Sequence, residues 1–153
     1  IVVATDFSEH SADALDEGLE LAAKAGLPEI RCVHVYRVPL GYSKTGKDYE
    51  EFGLIMRANA EREFEKIEAK RKHPGVRVEP VMLMGETPSK SIGGYLEKDP
   101  TDLLVVGARG RSKGATVLLG SVTERLLKNT CCPLLAVKRK GAGLGLLEAL
   151  FQV

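Results

Sequence analysis

Leu103-Leu-Val-Val-Gly107-Ala-Arg-Gly110 begins a segment that ends, after nine further residues, with Gly120-Ser-Val-Thr-Glu124. The four consecutive apolar residues show no polar alternation, which predicts a short strand buried on both faces, as in a parallel sheet. Gly107 ends this strand. Ser121 and Glu124 have the S-x-x-E spacing of a capping box, so a helix is expected to begin near Ser121.

A strand, a glycine-rich basic loop and a helix N-terminus form an arrangement that suits an anion. Glycines allow backbone N–H groups to approach a phosphate, because no Cβ intervenes. The first N–H groups of a helix have no internal partner and lie at its positive end. Arg109, Arg111 and Lys113 add positive charge, and the Ser121 hydroxyl can donate to a phosphate oxygen, whereas Glu124 brings an opposing negative charge.

Two common nucleotide-binding motifs do not occur in this segment. Neither Gly110 nor Gly114 begins the pattern G-x-x-x-x-G-K-[ST], and no G-x-G-x-x-G follows the strand. On these residues alone, the alternative is a connecting loop whose glycines only permit turns.

Composition limits the class of protein. The chain has 153 residues, of which 44% are hydrophobic and 28% charged, with a net charge of +1. This length suffices for one domain with a buried core. The balanced charge gives no general case for binding nucleic acid or an anionic membrane. No apolar run has the length of a membrane helix, and no signal-peptide pattern is present.

The three cysteines suggest a compartment. Cys32, Cys131 and Cys132 have neither the pattern of a disulfide framework nor zinc-ligand spacing, so a reducing cytoplasm is the simplest expectation. The adjacent Cys131 and Cys132 could form a vicinal disulfide, although buried, reduced cysteine is the commoner state.

Strand-like and helix-like segments alternate along the whole chain. Strands are predicted over residues 1–5, 30–38, 76–84, 103–106 and 133–138, and helices over 8–26, 50–72, 87–99 and from 121 onward. This alternation predicts a single doubly wound α/β domain with a parallel sheet and helices on both faces. Pro80 has no N–H, which places its strand at an edge or at a bulge.

Asp6 and His34 are polar residues in or next to predicted strands. Asp6 follows the first strand at its carboxyl end, where ligands bind in open α/β sheets. It could instead cap the first helix, for which Ser8 is also a good N-cap. His34 lies within the second strand, where a histidine is more often packed than catalytic.

Gly107-x-x-Gly110, nine residues and then Gly120-Ser121 resemble the G-2x-G-9x-G-[S/T] signature of the nucleotide-binding branch of the universal stress protein family. The opening Ile1-Val-Val-Ala-Thr-Asp-Phe-Ser is similar to that family's first strand. The likeness extends over residues 1–140, and it implies a five-stranded sheet in the order 3-2-1-4-5.

The resemblance also implies a ligand and its contacts. The ligand is an adenine nucleotide, with ATP favoured and Mg²⁺ on its phosphates. Asp6 and the backbone of Val35 would meet the nucleoside, and Ala4 would contribute packing only. The full set of residues implied in binding is Ala4, Asp6, Val35, Val106, Gly107, Arg109, Gly110, Gly120, Ser121, Val122 and Thr123.

The expected function is regulatory, with slow or absent hydrolysis. Residues 107–121 contain no glutamine, glutamate or histidine to orient an attacking water, which leaves His10 as a candidate. The alternatives are a nucleotide-independent dimeric interaction module of the same fold and a weak ATPase. The resemblance implies a homodimer through the fifth strand. Residues 141–153 form a tail outside the domain that could adopt a short amphipathic helix.

Overall fold

The fold is known from a computed structural model that describes residues 1–71, 75–110 and 119–139. The strands are β1 (Val2–Thr5), β2 (Glu29–Tyr36), β3 (Arg77–Met84), β4 (Leu104–Gly107) and β5 (Leu134–Val137). The helices are α1 (Glu9–Lys24), α2 (Tyr49–Lys70), α3 (Pro88–Lys98) and α4 (Ser121–Asn129), with a 3₁₀ turn at Tyr42–Thr45. The predicted tail and the loop residues Arg111, Lys113 and Gly114 lie outside the described residues.

All five strands pair in parallel, in the order β3-β2-β1-β4-β5, which confirms the predicted doubly wound sheet. Every residue of β4 is buried, as the unbroken apolar run predicted. The strand order reverses between β1 and β4: β1, β2 and β3 extend to one side of this point, and β4 and β5 extend to the other. The carboxyl ends of these two strands therefore flank the crevice in which such folds bind ligands.

Pro80 lies on the edge strand β3, as predicted. At the two ends of β3, Arg77 and Gly85 donate their backbone N–H groups to Pro28 and Tyr36, at 2.8 and 2.9 Å. Successive residues of a strand direct their N–H groups to opposite sides, so the odd-numbered residues of β3 face β2. The ring nitrogen of Pro80 therefore faces the open side, where no ladder bond is lost.

The hydrophobic core has two layers, one on each face of the sheet. α1 and α2 cover the first layer, which includes Val3, Leu15, Leu19, Phe64 and Val105. α3 and α4 cover the second layer, which includes Val2, Ile92, Leu96, Leu104 and Leu126. Alternate residues of β1 and β4 thus point to opposite layers, and the two strands are buried on both faces.

Several element ends differ from the prediction. β2 ends at Tyr36 rather than at residue 38, because the last ladder bond from β3 reaches the Tyr36 carbonyl. α2 begins at Tyr49, since Asp48 and Glu51 form a capping box, which was not predicted. The N-cap of α1 is Ser8, as predicted, and its side chain accepts the Ser11 N–H.

The described helices include none that is both long enough and apolar enough to cross a membrane. The cysteines have different environments. Cys32 is fully buried, and this burial raises its pKa to about 12, so its thiol stays protonated. Cys132 is half-buried, whereas Cys131 is exposed, which contradicts the expectation that cysteine there is buried.

Candidate functional site

A cleft of about 270 Å³ lies at the carboxyl ends of β1, β2 and β4, between α3 and the N-terminus of α4. We call it the switch-point cleft. Its lining is Ala4, Thr5, Asp6, Ser11, His34, Val35, Pro88, Ile92, Val106, Gly107, Arg109, Gly110, Gly120, Ser121, Val122, Thr123 and Leu126. All eleven residues predicted for nucleotide binding belong to this lining.

Six lining residues were not predicted. Thr5, Ser11 and His34 come from β1, α1 and β2, and Pro88, Ile92 and Leu126 form part of the wall made by α3 and α4. A signal existed for Thr5 and His34, because each directly precedes a predicted site residue. The residues of α3 carry no such signal, since only the packing of α3 beside α4 brings them to the cleft.

The N-terminus of α4 is built differently from the predicted capping box. The N-cap is Gly120, which has no side chain to accept a helix N–H, and Ser121 is the first helical residue. The first bond within the helix runs from the Glu124 N–H to the Gly120 carbonyl, at 2.9 Å. The N–H groups of Ser121, Val122 and Thr123 therefore have no acceptor within the helix, and they lie at its positive end.

Glu124 points away from this helix start. Its carboxylate accepts a hydrogen bond from Lys128 Nζ at 2.7 Å, one turn further along α4. This bond is the main reason that the Glu124 pKa is lowered, with the Lys128 charge the second. The predicted capping box between Ser121 and Glu124 is therefore wrong, and the Glu124 charge is paired on the exposed face of the helix.

Thr123 has a structural role as well as a place in the lining. Its buried hydroxyl donates to the Gly107 carbonyl at 2.8 Å. This bond joins the first turn of α4 to the last residue of β4. The Thr123 side chain therefore fixes the helix start against the strand end. Because its hydroxyl is already engaged, we expect Thr123 to contact a ligand by packing and not through a hydrogen bond from that hydroxyl.

Asp6 does not cap α1, although it supports the residue that does. Asp6 Oδ1 accepts two hydrogen bonds from Ser8, from its N–H at 3.0 Å and from its hydroxyl at 2.5 Å. The other oxygen, Oδ2, lies close to Gly110. A Cβ added at Gly110 would be only 2.7 Å from this oxygen. The carboxylate thus reaches across the cleft from β1 to the glycine loop.

The turn that carries Asp6 is tied to β2 by two aromatic rings. The Phe7 ring stacks on the His34 imidazole, with centroids 4.1 Å apart and planes at 28°. His34 Nδ1 is 2.9 Å from the Thr5 carbonyl. Since a carbonyl only accepts, Nδ1 carries the hydrogen. Phe7 itself has a left-handed backbone conformation, with φ of +63°.

The three glycines of the signature differ in what an added Cβ would contact. A Cβ on Gly107 would lie 2.8 Å from the backbone carbonyl of His10, so α1 packs directly on this bare position. A Cβ on Gly110 would meet the Asp6 carboxylate. At Gly120, however, the nearest atoms of the described residues would be 3.5 Å away, which is an ordinary contact. Packing among these residues therefore requires no glycine at 120, although this position borders the cleft.

Comparisons with family models and with known proteins indicate the same family. The family model of the universal stress protein family matches residues 1–138. The chain is similar to the universal stress protein MJ0531 of Methanocaldococcus jannaschii, with 30% identity over 141 residues, which cover 91% of this chain and 81% of that protein.

Solved structures share the fold. MJ0577, a universal stress protein of the same organism, superposes with a TM-score of 0.76 at 27% identity, covering 91% of this chain and 94% of that chain. A universal stress protein solved in complex with cAMP has a TM-score of 0.56 at 25% identity, covering 89% of this chain and 94% of the other. An adenine nucleotide is thus a ligand within this group of structures.

Proposed function

Because this chain belongs to the universal stress protein family, we propose that the switch-point cleft binds an adenine nucleotide, with ATP as the favoured ligand. The nucleotide would act as a regulatory state marker in a cytoplasmic protein. The observation that carries this proposal is the start of α4, whose first N–H groups have no acceptor within the helix. They border the cleft beside Gly120, where packing among the described residues does not itself require a glycine.

The chemistry of the lining supports a nucleotide with a charged end and an apolar end. Val35, Ile92 and Leu126 offer apolar surface for a base. The positive end of α4 and the Arg109 side chain favour phosphate. Asp6 would accept hydrogen bonds from the nucleoside, since a carboxylate has only acceptors to offer.

Mg²⁺ would be held mainly by the phosphates in this proposal. Within residues 1–71, 75–110 and 119–139, no three His, Cys, Asp or Glu side chains cluster in a way that could hold a metal ion. The ion would neutralise phosphate charge, and Asp6 is the one carboxylate among the described lining residues that could contribute an oxygen.

The proposal is tested by identifying and then titrating the ligand. Mass spectrometry of small molecules released from freshly purified, denatured protein should detect an adenine nucleotide. Calorimetric titration with ATP, ADP, AMP, cAMP and GTP should then rank ATP first. Ser121→Ala should weaken ATP binding by about 1.5–3 kcal/mol if its hydroxyl donates to a phosphate, whereas Ser121→Thr keeps the hydroxyl and serves as the control. Failure of every adenine nucleotide to bind would reject the proposal.

Turnover of bound ATP is expected to be far below the usual enzyme median of roughly 10 s⁻¹. Rapid hydrolysis requires a group that orients water at the γ-phosphate. Among the described lining residues, Asp6 and His34 are the acidic or imidazole groups, and both are engaged in bonds within the β1–α1 region. His10 is not part of the lining.

A phosphate-release assay with excess MgATP measures this rate. Turnover near 1 s⁻¹ that disappears in Ser121→Ala protein would identify the chain as an ATPase instead. Asp6→Asn protein is the second comparison, because it removes the carboxylate that lies beside Gly110.

We also propose a homodimer through β5. Leu104 and Ala108 donate their N–H groups to Pro133 and Val137, at 2.9 and 2.7 Å, so the odd-numbered residues of β5 face β4. The Ala136 N–H consequently faces the open edge, which no other described strand covers. Two such edges can pair about a two-fold axis.

Ala136→Pro should therefore shift the protein from dimer to monomer, because it removes an edge donor without removing a β4–β5 bond. Ala136→Ser keeps the N–H and should remain dimeric. Light scattering at micromolar concentration reports the mass of each variant. A monomeric parent protein would refute the dimer.

A further inference from the structure

We infer that Phe7 and His34 are positioning residues that fix the direction of the Asp6 carboxylate in the cleft. The inference rests on the proposed nucleotide function, which it deepens by naming what prepares Asp6 for the ligand. Neither residue was assigned this role by the sequence, in which the site residues of the first strand end at Asp6.

The backbone of Phe7 adopts an unusual conformation. Its φ of +63° lies in the left-handed region, which a bulky residue rarely adopts. Glycine would adopt the same conformation without a steric penalty. Such a conformation persists only where the surroundings hold it, so contacts of the aromatic ring must offset its cost.

Those contacts lead to β2. The ring packs face to face on His34, with centroids 4.1 Å apart. The Phe7 N–H donates to Thr5 Oγ1 at 3.1 Å, and the same oxygen is 3.0 Å from the buried Ser11 hydroxyl. Ring and backbone of Phe7 are thus held from two different elements, β2 and the end of β1.

His34 completes the connection. Its Nδ1–H donates to the Thr5 carbonyl at 2.9 Å, so one side chain contacts both residues that flank Asp6 in the sequence. On the other side, Ser8 donates two hydrogen bonds to Asp6 Oδ1. With its two neighbours and one oxygen held, the carboxylate keeps the orientation that brings Oδ2 towards Gly110.

A double-mutant cycle tests whether His34 acts through Asp6. Titration with MgATP is performed on the parent protein, His34→Phe, Asp6→Asn and the double variant. His34→Phe keeps an aromatic ring against Phe7 but loses the donor to Thr5. We expect it to weaken binding about three- to tenfold, and we expect the double variant to bind no more weakly than Asp6→Asn alone. Fully additive losses would overturn the inference, since a general structural effect would weaken binding whether or not Asp6 is present.

Phe7→Gly provides an independent variant. It removes the ring while suiting the backbone conformation, so the protein should remain folded by thermal denaturation and still bind ATP about three- to tenfold more weakly. Unchanged affinity in both Phe7→Gly and His34→Phe would overturn this inference and leave the nucleotide proposal standing. A parent protein that binds no adenine nucleotide would overturn both.

Discussion

Gly120→Ala protein should fold as the parent does and bind ATP about ten- to a hundredfold more weakly, which corresponds to one lost charge-assisted contact. The added Cβ would lie 3.5 Å from the Gly110 nitrogen and from the Arg109 Cα, so the described residues around it accommodate it. The φ of −68° and ψ of 148° at this position suit any residue. The methyl group would, however, cover the Gly110 N–H and narrow the space in front of the first turn of α4.

Equilibrium titration with labelled ATP measures the affinity, and chemical denaturation measures the stability. Gly94→Ala in α3 is the matched control, because its Cβ would meet no atom of the described residues within 4 Å and the position is not part of the lining. Its affinity should equal that of the parent. An unchanged affinity for ATP in folded Gly120→Ala protein would show that no phosphate binds beside Gly120.

Gly107→Ala is expected to lower the free energy of unfolding by about 3 kcal/mol, whereas Gly120→Ala should leave it unchanged. The new Cβ would lie 2.8 Å from the carbonyl carbon and oxygen of His10 and 3.0 Å from the Arg109 carbonyl oxygen. These are backbone atoms, so α1 or the end of β4 would have to move. β4 is completely buried in the centre of the molecule, where such a movement disturbs both core layers.

Urea denaturation compares the midpoints of unfolding. Gly93→Ala is the control for the substitution itself. It lies within α3, and its Cβ would meet no neighbour in the described part of the chain, so alanine should stabilise that helix by up to about 1 kcal/mol. If Gly107→Ala unfolded at the same urea concentration as the parent, the packing of α1 against β4 would not require a residue without a Cβ at position 107.

The sequence predicted the architecture well because its strongest signals are local. The apolar run before Gly107 has no polar interruption, and it forms the completely buried β4. Pro80 lacks a donor, and it lies on an edge strand. Gly107, Gly110 and Gly120, which the spacing of the signature singled out, all border the switch-point cleft.

What the sequence could not predict depends on contacts between distant segments. Ser121 and Glu124 have the spacing of a capping box, yet Gly120 is the N-cap, since its carbonyl accepts the first helix bond from the Glu124 N–H. The Gly120 N–H in turn donates to the Ala108 carbonyl. Glu124 then pairs with Lys128 instead. The stacking of Phe7 on His34 joins residues that lie on different strands and turns, and neither residue's type indicates its partner.

The same bond between Gly120 and Ala108 has a consequence for how the protein tolerates variation. The Gly120 N–H donates to the Ala108 carbonyl at 2.8 Å, and the Ala108 N–H donates to the Val137 carbonyl at 2.7 Å. The two ends of the segment between 108 and 120 are therefore fastened together and to β5. Doubling the length of a segment closed in this way costs only about 0.6 kcal/mol of closure entropy. Insertions or grafted recognition peptides between these two anchor points should thus alter what the cleft selects while the sheet beneath keeps its stability.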